Sequence, residues 1–235
     1  MKCLLAIFRA ALFYAGFVAL TVSASIVTCL LFFLPFKLLQ RIATTGNYLV
    51  MQWLRLTCNI KIVVSGTENI PSGACVILSN HQSTWEAFYM QWFFQPACFI
   101  LKRELLWIPF FGWALFLMRP IAIKRSRPAS AIRYVIKEGS KRLLAGNRVV
   151  IYPEGTRVTS GQLGEFKTSG AALAKQAQVP VLPVAHNSGE HWKRSSFLKK
   201  PGIIYLKIGP VIDTEPYSTR EITENARDWI ANSLK

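Results

Sequence analysis

Apolar positions along the chain fall into two regimes, an unbroken block at the front and short runs thereafter. From Ala10 to Phe36 there are 27 residues without a charge, bracketed by Lys2 and Arg9 on one side and Lys37 and Arg41 on the other. As a helix this block is about 40 Å long against a hydrocarbon core of roughly 30 Å, so it can reach across a bilayer. Pro35 interrupts it. Beyond, Lys37, Gln40, Arg41, Thr44 and Asn47 mix with Leu38, Leu39, Ile42, Tyr48 and Met51, an amphipathic pattern suited to a membrane interface. A cleaved signal peptide ending near Ser23-Ala24-Ser25 is the competing reading. Apolarity continues from Leu30 to Leu34, where a mature domain would begin, and argues against it. The pattern leaves open whether the first segment spans the bilayer or dips into one leaflet and returns near Pro35.

After about residue 58 the pattern changes. β-rich runs at Ile60–Val64, Cys75–Ser79, Cys98–Leu101, Ile121–Ile123, Arg148–Tyr152, Val181–Ala185 and Ile203–Ile208 alternate with helical stretches near Thr84–Phe94, Ala129–Leu144, Ser169–Ala177 and Thr219–Ser233. Such alternation predicts an α/β fold with a largely parallel central sheet flanked by helices. The expected organisation is an N-terminal membrane-anchoring helical segment over residues 1–57 and an α/β domain over 58–235.

Composition supports this division. With 51% hydrophobic and 17% charged residues in 235, the chain is too apolar to stay disordered. A net charge of +16 calls for an anionic partner, and the apolarity favours a lipid surface over nucleic acid. Only Tyr134 interrupts the basic stretch from Arg119 to Arg148 as an aromatic, so no stacking platform for nucleic acid is expected. The five cysteines are scattered and never spaced C-x-x-C, which argues against a disulfide framework or a zinc site and for a reducing compartment. The basic excess places the main domain on the cytoplasmic side of a cell inner membrane.

Candidate chemistry gathers at strand ends. The run from Val76 to Glu86 leads an apolar strand into a polar turn and a helix, where sites collect in open α/β sheets. On one helix His81 and Glu86 would diverge by about 140°, so His81 belongs on the loop with Glu86 reaching back from the first helical turn. The carboxylate could then accept the Nδ1 proton and leave Nε2 as a general base. Ser83-x-x-Glu86 is equally a capping box, in which Glu86 has no chemical role. A second run, Val149 to Arg157, ends another strand. Gly155 permits close approach to a ligand, Arg157 and Thr156 can donate to phosphate oxygens, and Lys167 opens the next helix. Taken alone, Pro153-Glu154-Gly155 is also an ordinary turn.

Asn80-His81-x4-Glu86, Glu154-Gly155-Thr156-Arg157 and Val179-Pro180-Val181-Leu182-Pro183-Val184, in this order over roughly residues 60–210, resemble the glycerophospholipid acyltransferase family. The resemblance implies His81 as general base on an acceptor hydroxyl with Glu86 orienting it. It implies acceptor phosphate binding by Glu154, Gly155, Thr156 and Arg157, joined by Lys102, Arg125 and Lys167, and an acyl site lined by Val181 and Pro183. Phosphatidate formation from lysophosphatidate and an acyl thioester, carried by acyl carrier protein or CoA, is the implied reaction. It requires neither metal nor other cofactor. Two departures stand out: the acid of the first motif is usually aspartate in the family, and the second motif here reads Ile123-Lys124-Arg125 where Ile-Asp-Arg is common. A cysteine route is disfavoured because Cys75 sits in a predicted strand with no basic neighbour in sequence. A non-catalytic basic membrane module would explain the anchor and the charge and leave the motif order unexplained.

Overall fold

The computed structural model describes residues 2–124 and 128–234. Two long helices come first, α1 (Lys2–Leu30) and α2 (Phe36–Cys58), followed by β1 (Ile60–Ser65), β2 (Val76–Ser79), α3 (Trp85–Phe93), β3 (Ala97–Lys102), α4 (Phe111–Leu117) and β4 (Ile121–Ile123). The second half holds α5 (Pro128–Leu144), β5 (Arg148–Ile151), α6 (Ser169–Gln176), β6 (Val181–His186), α7 (Ser188–His191), β7 (Gly202–Ile208) and α8 (Thr219–Ser233).

The seven strands form one sheet in the order β1-β7-β6-β2-β5-β3-β4. Only the β6–β7 pair is antiparallel. The period-2 alternation of the strands sorts their side chains to two faces. Ile77, Val150, Leu182 and Val184 pack on one face with Met51, Leu54, Trp85 and Met90. Val76, Leu78, Val149, Ile151 and Val181 pack on the other with Val135, Leu173, Ile222 and Ala226. β6, β2 and β5 are adjacent and parallel, so the loops leaving their C-terminal ends meet at one edge of the sheet.

The N-terminal helices form an antiparallel hairpin, since Gly16 faces Trp53 while Gly46 faces Ala24. A Cβ on Gly46 would lie 2.4 Å from that of Ala24, so glycine is what lets the two backbones approach. α1 touches the α/β region near its middle and at its C-terminal end: Phe13 packs edge-on against Trp192 at 5.1 Å, and Cys29 lies against the Phe110 carbonyl. The helix therefore lies along the domain instead of projecting from it. Its outward face carries Leu4, Phe8, Leu12 and Ile26, and it is the one helix among the described residues long and apolar enough to cross a membrane. α2 runs to Cys58 and β1 starts at Ile60, and Phe13, Val50, Met51 and Leu54 of the two helices share a core cluster with Ile77 and Trp85. The hairpin is thus part of the fold's main core.

Candidate active site

Three loops converge at the C-terminal edge of β6, β2 and β5. The loop after β2 carries His81, whose Nδ1 lies 2.9 Å from Glu86 Oε1. The same oxygen accepts the backbone N–H groups of Gln82 at 2.8 Å and Ser83 at 2.7 Å. Its companion, Oε2, accepts from the hydroxyls of Ser83 and, at 2.9 Å, Ser188. The two readings of Glu86 are therefore joined in one carboxylate, which braces the start of α3 and engages the imidazole. Ser83 does not act as a standard capping serine here: its Oγ accepts from Trp85 N–H at 3.0 Å and donates to Glu86.

Glu86 is fully buried. Burial alone would raise its carboxyl. As the pH falls and the two imidazoles take up protons, the charges of His186 and His81, with hydrogen bonds from His81 and Ser83, outweigh burial and hold it down at about 2. A carboxylate this well satisfied stays ionised and can stabilise an imidazolium. Tyr152 stacks on His81 with ring centroids 4.2 Å apart, fixing the ring plane from the β5 side. Burial, then the Glu86 charge, push the Tyr152 phenol well above its ordinary range, so it remains neutral beside the dyad.

The backbone of His81 is held from the second loop. Its N–H donates to Glu154 Oε2 at 2.7 Å, and its carbonyl accepts from Val158 N–H at 2.8 Å. Glu154 Oε1 accepts Gly164 N–H at 2.8 Å. The Glu154 carboxylate thus ties two loops together through backbone N–H groups, and Glu154 is not among the residues that line the cavity. Burial raises the Glu154 carboxyl, against these hydrogen bonds.

The third loop adds residues that sequence inspection missed. Asn80 exchanges side-chain hydrogen bonds with the His186 backbone, Nδ2 to O at 2.9 Å and N to Oδ1 at 3.1 Å. His186 Nε2 sits 2.9 Å from the Asn80 carbonyl while its Nδ1 accepts Ser188 N–H at 3.4 Å, the pattern of a neutral imidazole. Burial lowers the His186 pKa accordingly. His186 and Ser188 are a hundred or more positions from Glu86, so no local spacing could have pointed to them; the β2–β6 pairing brings them in.

His81 opens onto a cavity of about 990 Å³ bounded by α1, α2, α3, α4, α5 and β3, at the upper end of ordinary ligand sites. Its walls are largely apolar, including Phe17, Val22, Phe88, Phe99, Leu115 and Met118. Gly155, Thr156, Arg157, Lys167 and Lys102 all line it near the dyad. Gly155 has φ +71°, a left-handed conformation that favours glycine, and a Cβ there would lie 3.6 Å from Lys167 Nζ. Arg157 Nε is buried with no hydrogen-bond partner among the described residues. Arg125 lies outside the described residues. Val181 and Pro183, expected at the acyl site, are buried in β6 and are not among the residues that line this cavity, whose apolar wall comes mainly from α1, α2, α4 and α5.

An α/β sheet with a histidine–carboxylate pair at the C-terminal ends of its strands, opening onto a largely apolar cavity that Arg157, Lys167 and Lys102 also line, has the features of an enzyme that acts on a lipid-like substrate. Comparison with known proteins narrows this class. The profile of the Acyltransferase family matches residues 61–187. The 1-acyl-sn-glycerol-3-phosphate acyltransferase of Pseudomonas aeruginosa is 44% identical over 96% of this chain and 90% of its own length. The protein of the same description from Saccharomyces cerevisiae is 30% identical over 81% of this chain and 68% of its own. In fold, the chain matches the crystal structure of the 1-acyl-sn-glycerophosphate (LPA) acyltransferase PlsC from Thermotoga maritima with a TM-score of 0.84, covering 100% of this chain and 96% of that one at 23% identity. The chain belongs to the acyltransferase family.

Proposed function

We propose that this enzyme transfers an acyl chain from a thioester to the 2-hydroxyl of 1-acyl-sn-glycerol-3-phosphate, forming phosphatidate. His81 Nε2 takes the hydroxyl proton as the oxygen attacks the thioester carbonyl. A C–O bond forms, the C–S bond breaks, and the imidazolium returns the proton to the departing thiolate. Glu86 fixes the tautomer through Nδ1 and offsets the charge that develops on the ring. The supporting observation is that His81 of this dyad shares the lining of one largely apolar cavity with Arg157, Lys167 and Lys102. Arg157 Nε, buried and unpartnered, suits a phosphate oxygen.

The donor is an acyl carrier protein or CoA thioester, both anionic and suited to a chain of net charge +16. The outward face of α1 rests in the cytoplasmic leaflet of the inner membrane, where both lipid chains stay out of water. Protease protection in right-side-out and inverted vesicles tests the sidedness.

Acyl transfer by the purified full-length enzyme tests the activity. Turnover should require lysophosphatidate and fail with a monoacylglycerol that lacks the phosphate. His81→Ala should lower kcat by about 1,000-fold or more with the thermal midpoint retained. Arg157→Lys, which keeps the charge and loses the planar fork, should raise KM for lysophosphatidate more than it lowers kcat. Substantial transfer by folded His81→Ala protein would overturn the mechanism.

A further inference from the structure

The segment between β3 and β4 has two apolar faces. Leu105, Ile108, Phe111, Ala114, Leu115 and Met118 line the large cavity. On the other side Trp107, Trp113 and Phe116 are 74%, 53% and 68% exposed, and Phe110 joins them, its ring 5.1 Å from that of Trp113. Four large rings presented outward within ten residues are far more than solvent exposure of scattered apolar side chains explains.

We propose that Leu105–Phe116 is a second membrane-inserting element, a wedge whose outer rings sit among lipid chains while its inner face walls the acyl cavity. The proposal rests on the reading of α1 as a membrane-embedded helix. Continuity with α1 is the first support. α4 packs on α1, and an apolar crevice of about 360 Å³ between them is lined by Cys29, Leu106, Trp113, Phe116 and Leu117. Leu30, Phe32 and Phe33, where α1 ends, are exposed as well. One apolar surface therefore runs from α1 across the crevice onto the wedge.

Charge identifies the occupant as a lipid surface. The exposed cations Lys102, Arg103, Arg119 and Lys124 flank the wedge, against a single carboxylate, Glu104. The Arg119 guanidinium lies 4.6 Å from the Phe36 ring, placing a cation at the border with α2. Tryptophans bordered by basic residues suit the junction of acyl chains and anionic headgroups. A second copy of the chain would instead bring two cationic rims together. The proposal includes a lateral path by which a lipid tail passes from the crevice between α1 and α4 to the cavity without entering water.

The test uses full-length protein in vesicles of mixed zwitterionic and anionic phospholipid, with or without bromine on the acyl chains. Brominated lipid should quench tryptophan emission, and Trp107→Phe and Trp113→Phe should each remove part of the quenchable fraction. Trp229→Phe, in α8, should remove only emission that bromine leaves intact. The double variant W107S/F116S should lose about tenfold in activity on long-chain lysophosphatidate in vesicles and retain activity on a dissolved short-chain acceptor. If the protein sediments with vesicles yet Trp107→Phe and Trp113→Phe remove only unquenched emission, the wedge is refuted and α1 still stands as anchor. Failure to sediment with vesicles would overturn both. Equal losses on the two acceptors would refute the lateral path, and self-association abolished by W107S/F116S would assign the surface to a second copy of the chain instead.

Discussion

At the dyad end of the cavity both oxygens of Glu86 are engaged by protein donors from two loops, whereas at the α1–α4 end the walls are aliphatic and aromatic side chains held by packing alone. The contrast follows from what each end must do. Proton transfer depends on a hydrogen bond of fixed length and direction, so the polar end is over-determined. Retaining an acyl chain demands only that water be excluded, and the hydrophobic effect has no preferred direction. One end can therefore tolerate changes of shape that the other cannot.

The sharpest way to break this contrast is Glu86→Gln. An amide keeps the length and one acceptor, but its NH₂ must face a donor, and no negative charge remains for the imidazolium. We expect kcat to fall by about 100-fold; near-normal kcat would reduce Glu86 to a helix brace. The same variant tests pH dependence. A carboxyl lowered from 4.5 to about 2 contributes stability that is fully present above 4.5 and lost as pH falls toward 2. Thermal melts of wild type should decline across that window more steeply than those of Glu86→Gln.

At the apolar end, Thr28→Phe places a ring on the cavity wall contributed by α1. Competition between donors should show the longest acyl chains disfavoured by about tenfold, with turnover of short ones kept. If all donors suffer equally, the apolar end is as rigid as the polar one. The smallest effect is expected from Ser188→Ala, which removes one donor to Glu86 Oε2 and leaves Ser83 in place. A drop in kcat of about fivefold, with KM unchanged, corresponds to one hydrogen bond of about 1 kcal/mol.

Much of this arrangement is legible in the sequence. All seven strands are, because each is a short β-branched or apolar run between turn residues, and so are α3, α5, α6 and α8. α4 is not: Phe-Gly-Trp-Ala-Leu-Phe-Leu is apolar nearly all round, since one face meets the cavity and the other lies bare, and no helical period survives. α7 is too short and polar to carry a pattern. In the site, His81 and Glu86 stand out because their partnership is local, and Arg157 because glycine and cation follow a strand. The hydrogen bonds of Glu154 to the backbone N–H groups of His81 and Gly164 could not be read from its run, because they join loops far apart in sequence. Nor could the burial of Val181 and Pro183 within the sheet be read from their motif alone.

The packing of Phe13 against Trp192 has a consequence for how the protein is made. At common rates of synthesis the ribosome needs about 10–35 s to travel from the first of these residues to the second. During that interval α1 has α2 to pack against but no completed sheet, and the rest of its apolar surface has only lipid or a chaperone to cover it. Maturation would then run in reverse of the usual order for a peripheral protein, with attachment preceding folding and the core closing at the bilayer surface.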